Sequence, residues 1–418
     1  MTLLPQDHLR TLVSIRERCQ QVYEQVKRGG DTVHFDIDES KLPDIMDAVA
    51  ATTERRFENL NTIPPHSRIR HFDPKQLKKL ETEGWAKVDA TEKARRLVDL
   101  VVVSVLVDAG AGQTWKYRTS DDKSIGRSEG LALASFDMFM NGYFSGVEDT
   151  PDRVDVKGLQ TISVERMEKG FQVTDGNQMV GLEGRSELLK RLGNVLESEQ
   201  TYFPSQEGLS SRPGNIVDYL LKKKPESSKE IRIETLWEAV MSLGKIWPPR
   251  VTIDNVPLGD VWPCASLTDL GNHENLVPFH KLSQWLTYSL VEAIESKLDI
   301  KFKGIELMTG LPEYRNGGLL VDYNLLTLKP EVMSKAVKND EGLPVFEGSD
   351  PVVVEWRALT VIYLDAIHKG LEKKWNRQLA LAQVLEGGTW TVGREIAAKL
   401  RPKNGGPPIV IKSDGTIF

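Results

Sequence analysis

Cysteine is nearly absent. The chain of 418 residues has two, Cys19 and Cys264, and neither sits in a CxxC pair. A disulfide framework and a cysteine-rich zinc site are therefore not expected. Long apolar runs are missing too. The most apolar stretch, Leu97–Ala111, is interrupted by Asp99 and Asp108. It falls short of the ~20 apolar residues needed to span a bilayer, so it reads as a buried helix. Met1 to Arg10 lacks the apolar core of a signal peptide. There is no excess of positive charge: 54 Lys and Arg stand against 60 Asp and Glu, for a net charge of -6. Proteins that grip phosphate backbones usually need a basic face. Nucleic acid and membrane are thus not expected partners, and the expected location is cytoplasmic.

Familiar chemical motifs are missing as well. The sequence has no GxxxxGK[ST] loop, no HExxH, no GxSxG and no strand-linked GxGxxG. Gly110-Ala111-Gly112 lacks the third glycine and reads as a helix terminator. The 7 histidines are scattered, none at metal-ligand spacing from another. We expect no metal and no cofactor; a metal hydrolase would need ligands distant in sequence.

What the chain does have is 40% hydrophobic and 27% charged residues, enough apolar side chain for a sizeable core. The dominant period is helical. Residues 8–60 read as helices, with Gly29 and Gly30 closing the first and Pro64-Pro65 breaking the next. Arg68 to Ala86 reads as charged and exposed. Residues 91–109 form the apolar helix. Another helix is expected from Ser128, as N-cap, to Asn141-Gly142. Further helices are expected around Glu187–Leu196, from His280 to Leu298 and from Val352 to Trp375. Residues 201–230 read as loop, with Lys222–Lys224 a solvated turn. Val251–Leu258 suggests a hairpin turning at Asp254-Asn255. Ile409-Val410-Ile411, in the tail that runs to Phe418, suggests a short strand. The expected fold is mainly α, a large helical globular fold with small β elements. It reads as one domain over 1–418; any division would separate an N-terminal helical part, 1–150, from a part spanning 151–418.

Four segments concentrate polar and aromatic groups. The first contains Trp115 and then Arg127-Ser128-Glu129 at a helix start, where unsatisfied N–H groups and positive partial charge favour an anion such as phosphate. The competing view is that Ser128 merely caps the helix and Arg127 pairs with a surface acid. The second is Pro278 to Tyr288, where His280, Gln284 and Tyr288 recur at helical spacing beside Lys281 and Trp285. A solvated stripe is the alternative, though Trp and Tyr are rare on outer faces. The third places Asp260 and Trp262 after a glycine turn, equally compatible with a plain structural turn. The fourth runs from Leu311 through Arg315 to Asp322 and Tyr323, with Glu355-Trp356-Arg357 beyond it. Carboxylates in apolar runs, such as Asp322 and Glu355, tend to pair or to serve a site; Arg357 or Arg315 is the expected partner. The four segments, spread over more than 200 positions, are expected to converge on one site.

The strings RSEGLALASFDMF, PFHKLSQWLTYSL, LPEYRNGGLLVDYNLL and VEWRALTVIYLD resemble the fungal and bacterial family of uracil catabolism protein four, over nearly the whole chain. That resemblance implies membership of a uracil-degradation pathway. In it uracil becomes its ribonucleotide, a relative of GTP cyclohydrolase II opens the ring, and ribosylurea compounds and urea lie downstream. A weaker resemblance joins Lys281-Leu-Ser-Gln284 and Glu355-Trp-Arg357-Ala358 to the queuosine-salvage ribohydrolases, which implies a DNA-glycosylase-like fold and N-glycosidic cleavage. The sequence between those motifs departs freely, so it identifies no catalytic residue.

The expected function is an enzyme acting on a small nucleotide-derived substrate: an N-ribohydrolase that splits a ring-opened uracil nucleotide into urea and ribose phosphate. The chemistry needs a carboxylate near C1′, for which Asp322, Asp260 and Glu129 are the candidates. Arg127, Ser128 and Lys281 are candidates for phosphate, Trp115 and Trp285 for pocket walls, and His280 and Gln284 for the urea. Tyr288, Arg315, Glu355 and Arg357 complete the binding set. Two alternatives are a hydrolase or lyase acting on the three-carbon fragment and a non-catalytic partner of the ring-opening enzyme. Association with other uracil-catabolism enzymes is the expected interaction.

Overall fold

The computed structural model describes residues 3–112, 114–205, 208–247 and 250–412. Positions 413–418 of the tail, and 206–207 of the stretch expected to be loop, lie outside the described residues. The fold is mainly α-helical. Among the described residues the largest sheet has three strands and every other sheet has two. No helix among them is long and apolar enough to cross a membrane.

The chain forms two compact units, each assembled from segments distant in sequence. The first gathers Met1–His66, Pro249–Gln284 and Glu306–Ser413; the second is built from Ser67–Pro248 and Trp285–Ile305. The helix Lys281–Glu295 therefore begins in the first unit and continues in the second.

In the first unit, Leu12–Arg28 is helical. Thr11 caps it by accepting the Ser14 N–H, and Gly29, at φ 80°, ends it. Its inner stripe of Leu12, Ile15, Cys19, Val22 and Val26 is buried. Helix does not fill residues 8–60 as expected. A strand, Phe35–Ile37, intervenes and pairs antiparallel with Leu326–Leu328. The second helix, Leu42–Arg56, stops well before Pro64, so the prolines are not what breaks it. The hairpin is as read: Asp254 and Asn255 have φ of 49° and 64°, as a two-residue turn requires. The 25-residue helix Pro351–Trp375, capped by Asp350, packs against Leu12–Arg28 and Leu42–Arg56. The tail strand, Val410–Lys412, lies parallel to Pro344–Glu347.

In the second unit, Asp89 caps the apolar helix Ala90–Leu106 through the Thr91 and Glu92 N–H groups. Asp99 is fully buried within it and accepts from Arg212, the Val154 N–H and the Gly214 N–H. Arg185 closes the far end by donating to the Val107 and Ala109 carbonyls. Two expectations need correction here. The 68–86 stretch is not uniformly exposed: Arg68, Phe72, Leu80 and Trp85 are all buried, because Arg68 finds internal partners and Trp85 donates to Asp152. The 201–230 stretch contains a helix, Ile216–Lys223, of 8 residues, too short for its period to stand out. Lys222 and Lys223 form its last turn.

Candidate functional site

In the first unit the site is built around Asp260. The strand Val261–Pro263 pairs antiparallel with Leu276–Pro278, which brings Gly259-Asp260 beside Phe279-His280. Both approaches are conformationally demanding: Gly259 has φ 74° and His280 φ 46°. Left-handed backbone at a residue other than glycine costs of order 1–3 kcal/mol and concentrates at functional sites. The Asp260 carbonyl accepts the Phe279 N–H at 2.9 Å. Its carboxylate accepts the Arg357 fork, Nη1 to Oδ1 at 2.8 Å and Nη2 to Oδ2 at 2.7 Å. It also takes the Trp262 indole N–H at 2.6 Å and the Lys281 N–H at 3.0 Å. Arg357 lies over the Phe279 ring at 4.1 Å. Burial pushes the Asp260 carboxyl up. The Arg357 guanidinium and the N–H donors more than reverse this, leaving it well below the usual carboxylate range. Asp260 is thus held in its ionised form by its partners and anchors the start of the Lys281–Glu295 helix.

Glu313, which the sequence reading passed over, has the opposite character. It caps the helix Tyr314–Asp322, its carboxylate accepting the Arg315 N–H at 2.8 Å and the Asn316 N–H at 2.6 Å. Burial pushes its carboxyl above the usual range. The two N–H groups and the charges of Lys281 and Arg315 pull the other way without cancelling the shift. A glutamate in the N-cap place, where Ser, Thr, Asp and Asn are preferred, followed by Tyr-Arg-Asn, was the available signal.

Most of the remaining candidates in this unit hold backbone or one another. His280 bonds the Leu9 carbonyl through Nε2 at 2.8 Å, so that nitrogen carries the proton, and burial lowers the ring's pKa. It precedes the helix and does not begin its face. The Gln284 amide donates to the Phe279 carbonyl at 3.1 Å and the Thr309 hydroxyl at 2.7 Å, and accepts the Thr309 N–H at 2.8 Å. Glu355 is fully buried and accepts the His34 and Phe35 N–H groups and the His34 ring. Asp322 pairs with Arg401, Nη1 to Oδ1 at 2.8 Å. Neither acid takes the expected partner, because Arg357 is committed to Asp260 and Arg315 donates to the Gly405 carbonyl at 2.7 Å.

In the second unit, the N-cap of the helix Arg127–Met140 is Gly126, two residues earlier than expected, and no side chain is bonded there. Ser128 is not the cap. Its hydroxyl donates to Asp108 at 2.7 Å and accepts from Arg68 Nη1 at 2.9 Å, with His71 Nδ1 at 3.1 Å. Arg68 is wholly buried, ion-paired to Asp108 at 3.0 Å. It donates to Ser104 at 2.7 Å and lies 5.6 Å from the Trp285 ring. The His71 ring is 6.0 Å from Trp285. Arg127 is exposed, with φ 57°. Glu129 is half-buried and acts on the charge of Arg68. Trp115 is buried, donating to the Phe171 carbonyl at 2.8 Å, and Tyr288 is buried too. Arg68, His71 and Asp108 were not anticipated. They come from a charged stretch and a helix end, whose residue types say little without the contacts. Among the described residues no group of three or more His, Cys, Asp or Glu is arranged to hold a metal ion.

The second and third segments thus meet, with Arg357 of the fourth, around Asp260. Glu313 begins the Tyr314–Asp322 helix and Asp322 ends it. Nine residues at ~1.5 Å each put those ends about 12–14 Å apart.

Comparison with known proteins adds relatives of the same length. Over 442 aligned residues the chain is 39% identical to "Uracil catabolism protein 4" of Lachancea kluyveri, covering 99% of both. It is 40% identical over 420 residues to "Protein urg3" of Schizosaccharomyces pombe, covering 98% of both. A family model described as "Protein of unknown function (DUF1688)" matches residues 8–418. With that match and these full-length relatives, the chain belongs to the DUF1688 family.

Proposed function

We propose that the protein acts in uracil catabolism as an N-ribohydrolase, cleaving the C1′–N bond of a ring-opened uracil nucleotide. The full-length relative named for uracil catabolism supports the pathway. What supports the reaction type is Glu313, whose carboxylate is fixed at the start of the Tyr314–Asp322 helix by the Arg315 and Asn316 N–H groups, with burial pushing its carboxyl above the usual range. A ureido nitrogen is a poor leaving group and needs a proton as its bond to C1′ breaks. Glu313 gives that proton while the bonding pair departs with nitrogen. The resulting carboxylate then faces the cation developing at C1′ and takes a proton from the water that adds there. The products are urea and ribose phosphate. Asp260, held ionised by Arg357, fixes the start of the helix that carries Lys281 and leaves proton transfer to Glu313.

Ribosylurea 5′-phosphate incubated with the purified protein should release urea, measured by a urease-coupled assay. Absence of urea at enzyme concentrations approaching the substrate's would refute the assignment.

A further inference from the structure

We propose that residues 401–408 form a strap that positions Glu313, acting through Arg315 and the Asp322–Arg401 pair. This rests on the reading of Glu313 as the proton donor. The helix Tyr314–Asp322 is gripped near both ends by this one segment. Near its start, Arg315 Nη1 donates to the Gly405 carbonyl at 2.7 Å. At its end, Arg401 forks onto Asp322 while its Nε donates to the Gly406 carbonyl at 2.6 Å. Between them the Pro408 ring packs close on the helix: a Cβ at Gly318 would lie 3.0 Å from it. The strap is itself shaped for this. Gly405 has φ 58° and bonds back to the Arg401 carbonyl at 2.7 Å. Asn404 accepts the Gly406 N–H at 2.6 Å.

Asp322 is an unexpected residue for its place. A carboxylate in the last turn of a helix faces the negative end of the helix dipole, and its side chain is only 3% exposed. Arg401 offsets both costs, so helix end and strap are held together or lost together. At the other end, the Arg315 N–H is one of the two that hold the Glu313 carboxylate. Lys281 and Arg315 are the charges that act on that carboxyl, beside the N–H groups of Arg315 and Asn316. Moving Arg315 therefore moves both a hydrogen bond and a charge at the proposed acid. Asp322 and Arg315, candidates for direct contact with substrate on sequence grounds, become positioning residues.

The test is Asp322→Asn, assayed for urea release from ribosylurea 5′-phosphate across pH beside Glu313→Gln. A displacement of the order of 1 Å at a reacting group costs up to about a hundredfold in rate. The expected result is a kcat reduced about ten- to a hundredfold with KM little changed. The midpoint of the high-pH limb should move upward, because Arg315 no longer draws the Glu313 carboxyl down as strongly. Asp322→Glu, which keeps the charge for Arg401, should recover part of both effects. If Asp322→Asn does not fold, Arg315→Gln, which keeps a donor for Gly405 and removes the charge, should show the same upward midpoint. Wild-type kcat and midpoint, or a loss that follows the unfolded fraction with the midpoint unmoved, would overturn the strap. Full activity in Glu313→Gln would instead overturn the reading beneath it.

Discussion

Asp260 and Arg357, 97 positions apart in sequence, meet in a two-bond fork of 2.8 and 2.7 Å. Arg357 is 2% exposed, so removing its partner leaves a buried charge uncompensated. Asp260→Asn should cost about 3–5 kcal/mol of folding stability, read as a lower urea midpoint at unchanged slope. Replacing both residues, Asp260→Asn with Arg357→Met, should recover part of the loss, because the stranded charge is gone. A single-variant loss below about 1 kcal/mol, the range of exposed pairs, would show that the fork does not anchor the site.

Ser128 separates two structural accounts. Its hydroxyl bridges Asp108 and Arg68 and does not cap the helix. Ser128→Ala should cost about 1–3 kcal/mol through the buried partners left short. Ser128→Asp should be worse, since it sets a second carboxylate against Asp108. Were Ser128 the cap, aspartate would replace it with little loss. Urea unfolding of the two variants decides between these orders.

His280 gives a pH dependence whose sign follows from burial. Its folded-state pKa is lowered by desolvation, so at acid pH the unfolded chain binds a proton that the folded chain resists. The stability this contributes is fully present above the ordinary histidine value of about 6.5 and is lost as pH falls below it. His280→Gln, whose amide can still donate to the Leu9 carbonyl, should flatten that part of the stability–pH curve. An unchanged slope between pH 7.5 and 5.5, chosen to bracket about 6.5, would contradict this.

Helical periodicity made the long elements legible. The stretches ending at Gly29, around Leu97 and from Val352 to Trp375 all repeat apolar residues over several turns. Local turn chemistry made the Asp254-Asn255 hairpin legible. Short elements such as Ile216–Lys223 were not, because 8 residues give about two turns of period. Asp260 stood out as an acid after a glycine turn and Arg357 as a partner for a buried carboxylate, but their pairing depends on which segments the fold brings together. Asp322 and Glu355 show the limit most clearly. Burial of a carboxylate predicts that it has partners, and the actual partners, Arg401 and the His34–Phe35 backbone, carry no mark in sequence. Glu313 was overlooked because a capping carboxylate looks local. What distinguishes it is the surrounding burial and the nearby Lys281 charge, both products of long-range packing.

The central claim is that Glu313 supplies the proton to the leaving nitrogen, and its pH–rate profile tests this most directly. Urea release from ribosylurea 5′-phosphate should fall on a high-pH limb whose midpoint lies above the ordinary glutamate value of about 4.3, because burial raises that carboxyl. Glu313→Gln should lose that limb and at least about a hundredfold in kcat, with the protein still folded. A Glu313→Gln variant that keeps both the limb and the rate would contradict the account.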